Sequence, residues 1–322
     1  MDAVAQEQTA FGEFIAPVER SEFYDKWFGK TPLHIPGDPG KFADIMPWET
    51  LTQLLNQSAL WTGRTLMLVL DRRVIPPEEY CIPFTLRDGM DGMVADMNKV
   101  RDWVKKGASL VLNDIETLTP RMKEVADVLG HEPGGRVQAN LYCSWHAHQA
   151  FGVHYDTHDV FAFQVTGEKT WRIYQRYFKD PVKHPAFRSQ DQAFHDAHCG
   201  AVSQEVEMTA GDLLYIPRGY YHDALTDGDN SIHLAVSLVP QIGLDLISAV
   251  FERAVHDELF RADIPRIWMR DGKATEEHMI RLAGRFRELV RDKEFMEQFM
   301  NTLRNDRFER WWINLPDDAK GD

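Results

Sequence analysis

Three residues, His154, Asp156 and His222, have the types and spacing to hold a metal ion together. The first two lie in Val153-His-Tyr-Asp-Thr-His-Asp-Val-Phe-Ala-Phe-Gln164, and the third closes Gly211-Asp-Leu-Leu-Tyr-Ile-Pro-Arg-Gly-Tyr-Tyr-His222. Residues two apart on a β-strand project from one face, so His154 and Asp156 can reach a common point. With a distant His222 they make two imidazoles and a carboxylate on one face of an ion. Such a set leaves three positions open and suits Fe(II) that must hold a cosubstrate and dioxygen. A structural zinc site would be closed and cysteine-rich. His-x-Asp alone is a weak motif, and its context strengthens it. Phe161 to Tyr174 has the pattern of a buried strand pair turning at Thr166-Gly167. Pro217-x-Gly219 before His222 predicts a sharp turn that delivers the histidine to a barrel mouth.

On these residues the chain resembles the JmjC-type cupins, and within them the ribosomal-oxygenase group of iron- and 2-oxoglutarate-dependent hydroxylases. Matched by position, His154, Asp156 and His222 correspond to the family's iron ligands and catalytic centre. Lys169 corresponds to the basic residue that binds the far carboxylate of 2-oxoglutarate. Asn140-Leu-Tyr142 matches the family's Asn-x-Tyr in the cosubstrate pocket, and Ser237 falls where the family has a hydroxyl residue there. The resemblance covers roughly residues 11–240, with its specific motifs within 140–237. It implies an α+β fold: a double-stranded β-helix barrel with helical N-terminal decoration and a C-terminal helical domain. It also implies Fe(II), 2-oxoglutarate and O2 as cofactors, a protein or peptide substrate, and a homodimer formed through helices after Pro240. One departure stands out. The stretch after Pro240 is too short for both the family's helical dimerisation unit and its winged helix.

With 322 residues, 43% hydrophobic, the chain can build one large core plus an appendage. A net charge of −14 argues against direct nucleic-acid binding, aids solubility and would attract a basic polypeptide. Three cysteines, Cys81, Cys143 and Cys199, make no disulfide framework and fit a reducing cytoplasm. No apolar run is long enough to span a bilayer, and Met1 to Ala10 has no secretory pattern.

The positioning elements follow from periodicity and caps. Residues 1–10 are expected to be a flexible tail, 11–240 the oxygenase domain and 241–322 a helical domain. Ser21 is expected to cap a short helix through Phe28, and Leu33-His-Ile35 to form a strand. Helices are expected from Pro47, over Asp96–Lys106 and from Thr119-Pro120 to Gly130, with strands over Thr65–Leu70, Ser109–Asn113 and Val137–Cys143. Residues 178–205 have the character of a solvated insertion, so His195-x2-His198-Cys199 there is taken as a decoy rather than a second metal site. His158 is expected to orient a ligand or face solvent. Beyond Pro240, Leu244, Ile247, Val250, Phe251, Ala254 and Val255 form an apolar stripe, and Thr275 is expected to cap a second helix.

Two other functions fit the same residues: hydroxylation of a free amino acid or small metabolite, and a non-catalytic metal-binding cupin. The conventional metal cupin has His-x-His, a later glutamate and an asparagine after the last histidine. His-x-Asp, with Leu225 and Thr226 at the asparagine position, favours an oxygenase.

Overall fold

Alternating and continuous apolar runs through the middle of the chain become two opposed antiparallel sheets. The computed structural model describes residues 3–85, 89, 91–145, 151–225, 230–265 and 272–305. Its first seven strands are β1 (Leu33–Ile35), β2 (Leu66–Leu70), β3 (Arg73–Val74), β4 (Cys81–Thr85), β5 (Asp91–Ala95), β6 (Ser109–Leu112) and β7 (Arg136–Ser144). The remaining six are β8 (Asp159–Thr166), β9 (Lys169–Tyr177), β10 (Val202–Met208), β11 (Leu213–Ile216), β12 (Tyr220–Leu225) and β13 (Ser231–Val239). The large sheet runs β1-β11-β8-β13-β7-β6-β2-β3, the small one β10-β9-β12, and β4-β5 is a separate ribbon.

Between the sheets lies one apolar layer. Val160 and Ala162 of β8 and Leu214 and Ile216 of β11 meet Trp171 and Ile173 of β9 and Val206 and Met208 of β10. The alternate residues of β8, Phe161, Phe163 and Val165, point the other way into a larger core with Phe11, Phe14, Phe23 and Phe42. Both faces of β8 are thus buried, which is why Val160 to Phe163 is apolar without interruption. Each fully buried side chain of this kind contributes roughly 1.5–3 kcal/mol. The fold is the α+β double-stranded β-helix that the sequence led us to expect.

Helices α1 (Ala3–Ile15), α2 (Arg20–Glu22), α3 (Trp48–Leu55), α4 (Met97–Lys105) and α5 (Pro120–Leu129) cover the outer face of the large sheet. Asp96 and Thr119 cap α4 and α5 through their side chains, accepting from Asn98 N–H and Met122 N–H. Two short helices, α6 (Pro185–Arg188) and α7 (Gln192–His198), lie between β9 and β10.

Several expectations need correction. Residues 3–10 do not form a loose tail: they begin α1, whose Phe11, Phe14 and Ile15 are buried and so tie the helix down. Glu19, not Ser21, occupies the N-cap of α2, which continues as a π-helical turn over Phe23–Trp27. β8 and β9 do not pair with each other. They belong to opposite sheets, and the chain crosses between them at Gly167, whose φ of 71° favours glycine. Residues 178–205 are partly helical rather than a bare solvated loop.

A second compact unit spans Pro240–Arg307. It contains α8 (Gly243–Ala254), α9 (Glu258–Arg261), α10 (Lys273–Arg291) and α11 (Lys293–Asn305). Its core is Val250 and Ala254 of α8 with Leu289 and Phe295. Left-handed Gly272 precedes α10, and Thr275 instead donates to Pro265 O at 2.8 Å. The α8 stripe divides: Val250 and Ala254 face inward, while Leu244, Ile247, Phe251 and Val255 are exposed. Trp311 and Trp312 lie outside the described residues.

Gly219 is the tightest backbone approach at the turn before His222. Its φ is 87°, and a Cβ there would sit 1.9 Å from Phe178 O. Gly219→Ala should therefore lower unfolding free energy by about 2–3 kcal/mol in chemical denaturation. Gly284→Ala, in open space on α10, should raise it by roughly 0.5–1 kcal/mol. Equal effects at the two positions would refute the steric argument.

Candidate metal centre

His154 and Asp156 are not on a regular strand, contrary to the expectation from their spacing. Residues 151–158 are irregular, held by one β-bridge in which His154 N–H donates to His222 O (3.0 Å) and His222 N–H to His154 O (2.8 Å). Gly219 N–H donates to Asp156 O at 2.8 Å, so the turn before His222 also fixes the other ligand segment. Arg218 N–H donates to Asp159 Oδ1 at 2.8 Å and anchors that turn to β8.

These contacts bring one atom from each of His154, Asp156 and His222 within 4.8 Å of one another. It is the one such cluster of three or more potential ligands among the described residues. Both histidines use Nδ1 against a main-chain carbonyl two residues earlier, Gly152 O and Tyr220 O, each at 2.9 Å. A carbonyl can only accept, so Nδ1 carries the proton and Nε2 keeps its lone pair for a metal. Burial first, then His154, pushes the His222 pKa down to about 4, so its imidazole is neutral at physiological pH. Burial alone would raise the Asp156 pKa, but His158, His154 and His222 outweigh it and hold the carboxylate ionised. The donor set fits a divalent ion with open positions.

The cluster faces a cavity of about 300 Å3. The period of two assigns its walls: Asn140 and Tyr142 from β7, Lys169 and Trp171 from β9, His222 and Ala224 from β12, and His233, Ala235 and Ser237 from β13. All seven residues singled out in the sequence therefore line one cavity. His158 lines it too, with Nε2 3.9 Å from Asp156 Oδ1. Lys169 is buried, and burial lowers its pKa to about 8. Trp171 Nε1 is a buried donor without a hydrogen-bond partner among the described residues. An ammonium and an unpaired indole N–H beside an open metal face fit an anionic, metal-chelating ligand.

Two other cations of these segments, Arg172 and Arg218, are committed elsewhere. Arg172 forms a bidentate pair with buried Asp223 at 2.8 and 2.6 Å, to which Tyr174 OH also donates. Arg218 pairs with Asp180 at 3.3 Å.

Sequence reasoning missed three residues. His233 lies two and four residues before Ala235 and Ser237 on β13, so strand parity counted back from Ser237 would have found it. Trp171 lies two residues after Lys169 on β9, and the same parity puts it on the cavity face. Gln192 of α7 donates to Val153 O at 2.9 Å and sits where a side chain at Gly152 would fall. Among the described residues, His195 and His198 make other contacts. His195 packs on Tyr155 and Tyr221, and His198 bonds Phe194 O.

Residues 112–246 match the JmjC domain family. That match takes in the His-Asp-His cluster and the strands that form the cavity walls. It is 26% identical over 264 residues to the bifunctional lysine-specific demethylase and histidyl-hydroxylase NO66 of Dictyostelium discoideum, covering 78% of this chain and 48% of that one. It is 28% identical to ribosomal oxygenase 2 of Bos taurus, covering 80% and 54% respectively. The chain thus spans about half the length of these curated relatives. The ribosomal oxygenase YcfD of Escherichia coli, solved with cobalt and 2-oxoglutarate, shares the fold with a TM-score of 0.60 and 18% identity, over 94% of this chain and 74% of that one.

Proposed function

We propose that this protein is an Fe(II)- and 2-oxoglutarate-dependent oxygenase that hydroxylates a side chain of a protein or peptide. One observation carries the reading: three metal-ligand atoms and a buried lysine line the same cavity. His154, Asp156 and His222 would hold the iron, and Lys169 would pair with the far carboxylate of 2-oxoglutarate. Asn140, Tyr142 and Ser237 would hydrogen-bond the cosubstrate and limit how it lies. When bound, iron with 2-oxoglutarate activates O2, giving succinate and CO2 as one oxygen atom enters a substrate C–H bond. The chain's own contribution is orientation and dryness. Trp171 packs its ring 5.8 Å from that of His222, and Tyr142 keeps its proton because burial, then Asp156, lift its pKa to about 12.

The relatives named for oxygenation of ribosomal or histidyl targets support a polypeptide substrate. A net charge of −14 favours a basic one. Three free, buried cysteines are in keeping with a cytoplasmic setting, and no helix among the described residues is long and apolar enough to cross a membrane. The test is mass spectrometry for a +16 Da product coupled to succinate release, across free amino acids, short basic peptides and folded proteins. Peptide turnover that disappears in His222→Ala is the expected result. Faster turnover of a free amino acid than of every peptide containing it would move the substrate to small metabolites. Metal binding with no succinate under any condition would leave a binding cupin.

Lys169→Ala should raise the 2-oxoglutarate concentration needed for half-maximal turnover about ten- to hundredfold while metal binding is retained. An unchanged requirement would mean that another group holds the carboxylate.

We also propose a homodimer built by α8 and α10. Its support is the exposure of Leu244, Ile247 and Phe251 on α8 and of Met279 and Ile280 on α10, the last 65% accessible, while the unit's core uses the other half of the α8 stripe. Light scattering at micromolar concentration should report a dimer, and Phe251→Asp a monomer. A monomeric wild type would refute it.

A further inference from the structure

We propose that His233 is a positioning residue, a fixed neutral acceptor that aims the Lys169 ammonium at the far carboxylate of the cosubstrate. This deepens the reading of the cavity as a 2-oxoglutarate site and rests on it.

The geometry is specific. His233 Nδ1 lies 3.3 Å from Lys169 Nζ, and both residues are buried. An ammonium has only donors, so Nδ1 must be unprotonated and the ring proton must sit on Nε2. Burial and the adjacent lysine hold the His233 pKa well below its ordinary value, so the ring stays neutral. The ring also cannot swing away. It lies parallel to Tyr142 at 4.7 Å and 8°, and edge-on to Trp171 at 5.5 Å and 85°.

The remaining titratable groups near the ammonium do not replace this acceptor. From β7, burial pushes Tyr142 up to about 12 and lifts the Cys143 thiol further, so both are neutral. Among the described residues no carboxylate pairs with Lys169. In the free cavity the imidazole is therefore what fixes the direction of the Nζ–H bonds, leaving the other two for a ligand. A neutral acceptor does this without neutralising the charge, as an aspartate would. A dicarboxylate then meets an oriented, uncompensated cation.

The sign of the pH dependence follows. Lys169 is charged below about 8 and loses its proton above, so affinity for 2-oxoglutarate should fall as pH rises through that value. Removing the acceptor makes the ammonium costlier and should move the fall to lower pH.

The test compares three variants with wild type, each loaded with Mn(II), by calorimetric titration of 2-oxoglutarate from pH 6.5 to 9.5, with KM and kcat measured on the Fe(II) enzyme. His233→Asn places an oxygen near the Nδ1 position, whereas His233→Gln reaches toward Nε2 and His233→Leu has no acceptor. We expect His233→Asn to bind nearly as wild type. His233→Gln and His233→Leu should bind about tenfold more weakly, lose affinity at lower pH and raise KM more than they lower kcat. If His233→Leu fails to fold, the Asn and Gln pair decides. Equal affinity and pH profile for that pair would overturn the positioning role while leaving the cosubstrate site intact. No 2-oxoglutarate binding by wild type would overturn the reading of the cavity and this inference with it.

Discussion

The reciprocal backbone pair between His154 and His222 is the constraint on which the site depends. Two hydrogen bonds, 3.0 and 2.8 Å, join an irregular segment to the start of β12 and set the two imidazoles with ring centres 4.6 Å apart. Everything nearby holds that pair in register. Gly219 N–H ties in Asp156, Asp159 ties in Arg218, and each imidazole is locked by a carbonyl two residues before it. An open metal face needs such rigidity. Three protein ligands impose less geometry than four, so the scaffold must supply the rest.

The two sheets divide the labour. The large sheet is buried on both sides along β8, and its outer core binds the helices, making it the stiff wall. The small sheet supplies His222, Lys169 and Trp171 from adjacent strands β12 and β9. Lys169 and His222 therefore sit on one face of a paired ladder, and their separation is fixed by strand register rather than by a loop. On the reverse face of β12, Asp223 is clamped by Arg172 and Tyr174. Charge on that face is paired, while the cavity keeps its ammonium unpaired for a ligand.

Most of the site was legible because strands obey a period of two and the family motifs are spaced by it. Asn140 with Tyr142, and Lys169 with Trp171, needed only parity. Three features were not legible, each for a physical reason. Thr166-Gly167 has the local chemistry of a hairpin turn, but glycine at positive φ serves equally where a chain crosses between sheets, and only the distant partners β11, β13 and β10 decide which. Among the described side chains, Phe11, Phe14 and Ile15 anchor α1 near its C-terminal end, so its polar first turns resembled a tail. His233 sits in a run, Ser-Ile-His-Leu-Ala, where one polar residue among apolar ones looks like ordinary core variation until the cavity is seen.

Residues 178–205 show what composition hides. The segment is polar enough to resemble a solvated insertion, yet Gln192 holds Val153 O, Tyr155 OH donates to Phe187 O, and His195 packs against Tyr155 and Tyr221. These contacts fall on the residues either side of His154, in a segment without a ladder of its own. A regular strand would have borrowed its stiffness from two neighbours, as β8 does. Residues 151–158 have one bridge, and the missing support comes from α6 and α7 on the other side. Gln192 of the insertion donates to a backbone carbonyl of that segment, because irregular backbone presents groups that a sheet would have satisfied. An irregular ligand segment leaves the metal face open, and its helical brace keeps that face from drifting.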